Sequence, residues 1–564
     1  MSSASTHIGK VSLSLESGPR MWVFRDGKRP VSTALLHERL NQEISSGGSA
    51  FKVLLRAGEL EAALDDAEHG SDSWQVTALT DRAAFALVHH GDNTAFHATP
   101  IPRPSSGSRA PAEVSVGTPE GFAFYLLHPL AFRELARQVH PAGAPAAVIG
   151  IRSIGAVLSA VVGATLNAER ITVRPLGHPY ERSVAFSPDQ EAWIRGQLAR
   201  SAHFYVVDEG PGFSGSSLLS TGEALERAGV PLGRISILCT AQADPARLVT
   251  PNAAARWQRF RFYTTQPYLP SAVGPENARW YGPEHWRQRT YGLDESLWPG
   301  VWRQVENPKF LARDDHRLYR FIGYAHYGSP VLERYQRLAA AGFGPQAGGE
   351  NEGFAEFWME GGSAFTTPKW NQNIHQFVVR YLAERIRLCP AEAADAERGL
   401  TGIARMMHYN TQDLSGRAYE AQLRTEYPVY ADNRMMPHKF MRTPYGMRKL
   451  DGAAHGDDHF FPGPCDIAWD IAGVIVEWEL SETACGQLLR DYSGRSGDMH
   501  IRLRLRDWMI AYLAFRAGYC LMGGHANRQS AEGDRLLRDA TRYHQLLLKA
   551  MSFSAPCSYA APPP

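Results

Sequence analysis

The stretch FYVVDEGPGFSGSS, residues 204–217, decides the fold of the first half of this chain. Its four leading apolar residues predict a buried strand, two adjacent carboxylates end that strand, and a turn rich in glycine and serine leads into the helical pattern of residues 218–228. The N–H groups of such a turn suit a phosphate at a helix N-terminus, and carboxylates accept hydrogen bonds from sugar hydroxyls. The stretch therefore predicts a ribose-phosphate site.

Strands and helices alternate on either side of this stretch. The predicted strands are residues 146–151, 171–174, 204–207 and 235–240, and the predicted helices are residues 156–166 and 218–228. Alternating strands and helices form a parallel sheet, whose ligand-binding loops lie at the carboxyl ends of the strands. Residues 115–260 are therefore predicted to form an α/β domain with a parallel sheet.

Two loops upstream add to the pattern. GIRSIG, residues 150–155, follows the first strand, and its Arg152 can pair with diphosphate oxygens. VRPLGHPYER, residues 173–182, is a basic loop between that segment and the acidic stretch. A diphosphate loop, a basic loop and an acidic-pair loop in this order resemble the type I phosphoribosyltransferases.

The resemblance implies a role for each matching residue. It assigns substrate binding to Arg152, Ser153, Gly155, Asp208, Glu209, Gly212, Ser214, Gly215, Ser216 and Ser217. It assigns catalysis, by neutralising the charge on the departing diphosphate, to Arg174, His178 and Arg182. The chain departs from the family pattern at Gly210, Pro211 and Phe213.

The same resemblance implies a phosphoribosyltransferase, a glycosyltransferase of nucleotide metabolism. Its substrate would be phosphoribosyl diphosphate with Mg²⁺, and the reaction could run in either direction. Residues 1–114, a small α/β region, would form a hood over an acceptor that no motif identifies.

A second set of acids lies in the other half of the chain. Asp432 begins DNRMMPHKF, a short hairpin follows, and Asp451 comes next. Farther on, DIAWD carries Asp466 and Asp470 at the start of a predicted helix. Phosphoryl transfer needs one acid to orient the attacking hydroxyl and another to hold Mg²⁺ on the phosphates. These acids therefore predict a phosphotransferase site.

Residues 306–555 resemble the aminoglycoside phosphotransferase branch of the kinase-like superfamily, an α+β fold. The resemblance implies ATP and Mg²⁺, with Asp432 as the catalytic-loop acid and Asp451 as the metal-binding acid. It assigns nucleotide binding to Lys309, Arg320 and Glu333. The strand lysine of the family appears here as Arg320 unless Lys309 serves, and Pro437 or His438 stands where a metal-binding asparagine is usual. These departures leave three alternatives for residues 306–555: a kinase, a degenerate pseudokinase, or an enzyme with another phosphate donor.

The motif HGDDH, residues 455–459, allows two interpretations. Two histidines and two aspartates within five residues can bind a metal ion, but the sequence offers no distant third ligand. The alternative is a polar loop.

Composition excludes several classes of protein. The chain has 564 residues, 44% hydrophobic and 21% charged, with a net charge of +1, so it predicts a multidomain globular protein without a nucleic-acid or membrane partner. The six cysteines are scattered, which argues against a disulfide framework or a cysteine-based zinc site. Residues 1–20 have no apolar core of a signal peptide, and the most apolar run, residues 154–166, is too short for a membrane span. We therefore expect a cytoplasmic protein that acts on small-molecule substrates, with a homodimer as its candidate assembly.

The predicted organisation has five parts. These are residues 1–114, 115–260, a connector at 261–305, 306–555 and a tail at 556–564; the Pro- and Ser-rich residues 101–112 predict a linker. One hypothesis is a bifunctional enzyme that joins phosphoribosyl transfer to a small-molecule phosphotransferase. The alternatives are a regulatory sensor of phosphoribosyl diphosphate or a nucleotide with a degenerate pseudokinase lobe, and a single-activity enzyme with a scaffold lobe.

Overall fold

The computed structural model describes residues 21–25, 27–67, 70–92, 94–101, 111–178, 180–212 and 214–552. Most of the predicted linker at 101–112, the predicted tail at 556–564, the segment 1–20 considered for a signal peptide, and Phe213 lie outside the described residues. Within the described part of the chain, no helix has the length and apolar character needed to cross a membrane.

Three helices and one strand pair precede the parallel sheet. They are β1 (Arg29–Ser32), α1 (Thr33–Ser45), α2 (Ala50–Asp66), α3 (Gly70–His90) and β2 (Glu113–Val116). The hydroxyls of Ser32 and Ser49 accept backbone N–H bonds at the first turns of α1 and α2, which explains where these helices begin. The apolar residues of α2 and α3 pack against each other.

The middle of the chain is the predicted parallel sheet with helices. Its elements are α4 (Glu120–Ala123), α5 (Leu130–Val139), β3 (Ala146–Ile151), α6 (Ile154–Leu166), β4 (Glu169–Val173), β5 (Leu176–His178), β6 (Glu181–Ser183), α7 (Pro188–Ala199), β7 (His203–Val207), α8 (Ser216–Arg227), β8 (Ile235–Cys239), α9 (Ala253–Trp257) and β9 (Arg261–Thr264). All neighbours in the order β4-β3-β7-β8-β9 are parallel. The prediction of an α/β sheet is confirmed, and the loops after β3 and β7 lie at one edge of it.

A five-stranded antiparallel sheet opens the second half. Its elements are β10 (Ala278–Trp280), α10 (Pro283–Tyr291), β11 (Lys309–Ala312), β12 (Arg317–Phe321), α11 (Ser329–Ala340), β13 (Ala347–Asn351) and β14 (Phe354–Trp358), in the strand order β10-β11-β12-β14-β13. The predicted connector at 261–305 thus supplies strands to both sheets, because β9 and β10 lie within it.

A mainly helical lobe follows. Its elements are β15 (Ser363–Ala364), α12 (Gln372–Leu388), α13 (Ala393–Ser415), β16 (Pro428–Tyr430), β17 (Phe440–Thr443), β18 (Gly446–Lys449), β19 (Pro464–Asp466), α14 (Ala468–Glu477), α15 (Glu482–Ser496), α16 (Ile501–Ala526) and α17 (Ala531–Ser552). Trp469 of α14 and Trp508 of α16 are fully buried at its centre. Short strands and hairpins at the edge of this core carry the predicted acids.

Residues 21–25 pack into this helical lobe, although they begin the described chain. The Asn410 side chain accepts from Trp22 N at 2.8 Å and donates to Trp22 O at 3.1 Å. Val23 is fully buried, and its carbonyl accepts from Phe461 N at 3.0 Å. We call residues 21–25 the N-terminal strap.

We expect Asn410→Ala to lower the unfolding free energy by about 1–3 kcal/mol, because it leaves buried backbone groups of the strap without partners. Chemical denaturation measures this change, and limited proteolysis should show faster cleavage within the strap. Asn373→Ala, on the exposed face of α12, is the control. Equal stability of the two variants would contradict the assigned role of the strap.

Candidate functional site

The predicted diphosphate loop is occupied by an acid of the N-terminal region. Asp66, at the end of α2, pairs with Arg174 at 2.6 Å and with Arg152 at 3.3 Å. Arg174 also donates to the Arg152 carbonyl at 2.6 Å and lies 3.3 Å from the Ser153 hydroxyl. The cavity beside these groups has a volume of about 20 Å³, which is room for a water molecule.

In the acidic pair after β7, Glu209 is turned toward residue 121. Glu209 accepts a hydrogen bond from Gly121 N at 2.8 Å. Burial raises the pKa of Asp208 to about 7 and that of Glu209 to about 8, and nearby Glu120 adds to both shifts. Both carboxyls therefore titrate well above the usual range of a carboxyl group.

The other predicted residues of this half are dispersed along neighbouring loops. Arg182 donates to the Ser217 hydroxyl at 2.9 Å, while His178 lies exposed on the β5–β6 hairpin. The hydroxyls of Ser214 and Ser216 lie 3.0 Å apart. Two of the three predicted glycines have a local reason to be glycine: Gly215 has a positive φ of 68°, and a Cβ at Gly155 would lie 3.0 Å from the Val207 carbonyl. A Cβ at Gly212 would meet open space. Of these residues, the structure joins Arg182 to Ser217 and Ser214 to Ser216, and it leaves His178 exposed.

The raised pKa values of Asp208 and Glu209 predict how the unfolding free energy depends on pH. A carboxyl whose folded pKa exceeds its unfolded value stabilises the fold fully below the unfolded pKa and loses that contribution as pH rises through the folded pKa. We therefore expect the unfolding free energy to fall as pH rises from about 4 to about 8 and to level off above that. Urea unfolding at several pH values should show a flatter profile for the double variant Asp208→Asn, Glu209→Gln. An unchanged profile would contradict the assignment.

In the second half, Asp432 lies just after β16 and is fully buried. Lys449 approaches its carboxylate at 2.9 Å, and the Tyr381 hydroxyl donates to it. Asp470 accepts from the backbone N–H groups of Asp432 and Asn433 at 2.8 and 3.0 Å. The start of α14 therefore holds the loop of Asp432 in place.

Asp451 faces two cations. The Arg320 guanidinium from β12 and the Lys439 ammonium both contact its carboxylate. Lys439 directly precedes β17, and sequence reasoning missed it. His438, which the sequence offered for the asparagine position, stacks on Trp286 instead.

The remaining predicted nucleotide-binding residues differ in their surroundings. Lys309 is buried and pairs with Glu306 at 2.7 Å. Glu333 is 61% exposed and pairs with Arg337, so it lies outside the cleft. Its neighbour Arg334 is buried and lies 3.6 Å from Asp457.

The cleft concentrates buried positive charge. Burial lowers the pKa of Lys439 well below its usual value, and Lys309 and Arg320 lower it further by repulsion. The Arg320 Nε is buried with no hydrogen-bond partner among the described residues. Buried donors and like charges of this kind are stabilised by an anionic ligand.

The same geometry does not fit Mg²⁺. The metal-binding role implied for Asp451 requires a free carboxylate, yet Lys439 and Arg320 both occupy it. Within the described ranges, no group of three His, Cys, Asp or Glu side chains is arranged to hold a metal ion. Beside Asp451, the second half thus has side-chain cations at the position that the resemblance assigns to the metal.

The HGDDH motif joins the two halves. His455 lies 3.1 Å from the Arg320 guanidinium and 3.0 Å from Asp458, within the cation cluster. His459 lies 2.7 Å from the Tyr125 hydroxyl of the first half. The two histidines thus have separate partners, and the motif forms a polar bridge.

Comparisons with known proteins find similarity only in structure, since no protein-family model and no curated protein matches the chain. A choline/ethanolamine kinase family protein from Mesorhizobium loti is 14% identical over 44% of this chain and 86% of its own, with a TM-score of 0.29. The ethanolamine kinase of Plasmodium vivax is 10% identical over 43% and 81%, with a TM-score of 0.31. A macrolide 2′-phosphotransferase from Brachybacterium faecium is 12% identical over 42% and 88%, with a TM-score of 0.27.

The second half of the chain is built in two parts. A five-stranded antiparallel sheet with α11 after its third strand precedes a helical lobe that carries Asp432 and Asp451. The TM-scores are low, so the chemistry of the cleft is argued from its own contacts.

The prediction that the chain is a phosphoribosyltransferase is wrong. The similar solved structures are kinases and phosphotransferases, and they give no support to phosphoribosyl diphosphate as substrate or to glycosyl transfer. The physical reason lies in the first half, where Asp66 pairs with Arg152 of the predicted diphosphate loop and with Arg174 of the predicted basic loop. These contacts come from a helix far away in sequence, so the loop motifs alone could not reveal them.

Proposed function

We propose that the kinase-like half binds a nucleoside triphosphate, such as ATP, and holds its phosphates with arginine and lysine side chains instead of Mg²⁺. The observation that carries this proposal is the contact of Lys439 and Arg320 with Asp451. A cation already stands beside the acid where a metal-dependent kinase would place its metal. This function corresponds to the degenerate-lobe alternative.

The contacts of Arg320 support this assignment. Arg320 lies on β12, is only 2% exposed, and reaches Asp451 and His455 from the sheet side of the cleft. Its planar guanidinium can bind two phosphate oxygens at once. Lys439 reaches the same carboxylate from the opposite lobe, so a polyphosphate between them would touch both lobes.

We expect calorimetric titration with ATP to show binding in the presence of EDTA. Arg320→Met should weaken that binding by about tenfold or more, the loss expected for a hydrogen bond to a charged group. Arg317→Met, on the exposed face of the same strand, is the matched control and should bind ATP normally. Binding that requires Mg²⁺, or no binding at all, would overturn the proposal.

Phosphoryl transfer to a small-molecule hydroxyl is the second candidate function. It is favoured by the position of Asp432, which Asp470 fixes through two backbone hydrogen bonds. Turnover of ATP that Asp432→Asn abolishes would favour this candidate over binding alone.

A further inference from the structure

A wide groove lies on the helical lobe, apart from the cleft that holds Asp432 and Asp451. Its volume is about 1060 Å³, and it runs between the start of α12, the β17–β18 hairpin and the end of α15. Four arginines line it, and they are Arg380, Arg442, Arg448 and Arg495. We call it the arginine groove.

Two of these arginines have an acidic partner and two do not. Arg448 pairs with Glu360 at 3.0 Å, and Arg495 lies 3.7 Å from Glu384. Among the described residues, no carboxylate lies within ion-pair distance of Arg380 or Arg442.

Arg380 and Arg442 are both exposed beside aromatic rings. Arg380 lies over the Phe343 ring at 5.9 Å and Arg442 over the Phe365 ring at 5.4 Å. The carboxylate that lines the groove, Asp491, is paired with His375 at 2.7 Å. Within the part of the chain that the structure describes, the groove thus presents two guanidinium groups without acidic partners to solvent.

A strand edge borders the same groove. In the sheet order β15-β17-β18, β18 is the edge strand, and its residues 446–448 line the groove. Lys449 N bonds outward to the Phe343 carbonyl, so Lys449 and its partner Phe440 do not exchange ladder hydrogen bonds. By the alternation of an antiparallel ladder, the N–H and C=O of Met447 also point away from β17. An added strand can pair with such an edge.

We propose that the arginine groove binds an acidic, extended peptide segment of a partner protein. Its carboxylates would pair with Arg380 and Arg442, and a backbone carbonyl would accept from Met447 N–H. The side-chain amides of Gln372, Asn373 and Gln376 lie along the groove and can bond to peptide backbone. A strand edge matches a peptide, whereas a nucleic acid backbone calls for a longer run of cations.

Fluorescence anisotropy with a labelled oligoglutamate peptide and the full chain tests this proposal. We expect binding that weakens with salt and falls about tenfold or more in the double variant Arg380→Ala, Arg442→Ala. The matched control is Arg137→Ala, Arg195→Ala, which removes two exposed arginines of other helices and should leave binding unchanged. An oligoserine peptide should not bind.

Two further variants distinguish binding in this groove from binding elsewhere on the chain. Met447→Pro removes the outward N–H and should weaken oligoglutamate binding, with circular dichroism confirming that the variant is folded. Arg320→Met should bind the peptide normally, because it alters only the nucleotide cleft. Equal affinity of the Arg380, Arg442 double variant, or tighter binding of an oligothymidylate than of oligoglutamate, would overturn the proposal.

Discussion

The Arg385→Met variant is expected to lose about 3–5 kcal/mol of unfolding free energy, the cost of leaving buried charges unpaired. Arg385 is completely buried in α12, 3.2 Å from Asp470 and 3.7 Å from Asp432. Its guanidinium also donates to the carbonyls of Tyr430 and Gly452 at 2.6 and 2.8 Å. Methionine fills similar space but leaves two carboxylates and two carbonyls without this donor.

Urea unfolding measures the loss, and Arg387→Met is the control. Arg387 lies on the same helix, is 72% exposed, and pairs only with Glu384 among the residues that the structure describes. Surface pairs of this kind contribute between 0 and about 1 kcal/mol. A loss of under about 1 kcal/mol for Arg385→Met would show that Asp432 and Asp470 find other partners.

The Lys439→Asn variant is expected to reverse the metal dependence of nucleotide binding. Removing the ammonium frees one side of the Asp451 carboxylate and supplies an amide oxygen, and both are ligands that Mg²⁺ accepts. ATP affinity in EDTA should fall about tenfold or more, because a charge-assisted hydrogen bond is lost. Added Mg²⁺ should then restore much of that affinity.

Titration calorimetry with EDTA and with Mg²⁺ measures both effects. Lys369→Asn, at an exposed position before α12, is the control and should behave as the unaltered chain does. If Lys439→Asn binds ATP in EDTA as well as the unaltered chain, Lys439 does not hold the phosphates.

Local patterns were enough to predict the parallel sheet and the acids of the second half. The strand-turn-helix around residues 204–217 depends on neighbours in sequence, and the structure has β7 and α8 there. Asp432 and Asp451 were found because each lies beside a short strand. Both predictions needed only short stretches of chain.

The neighbours of those acids could not be predicted in the same way. Lys439 was missed because its position relative to the acids depends on where β17 begins. The sequence pattern pointed one residue earlier, to His438. The same offset on α11 separates exposed Glu333 from buried Arg334, since successive helix residues point about 100° apart. Pairing of Asp66 with Arg174 joins residues far apart in sequence, so no local pattern contains it.

The N-terminal strap is synthesised long before the residues that it packs against. Residues 21–25 are synthesised several hundred residues before their partners Asn410 and Phe461. At about 5–20 residues per second, the synthesis of these partners follows that of the strap by roughly 20 to 90 s. The helical lobe therefore completes its packing only when two segments made several hundred residues apart meet.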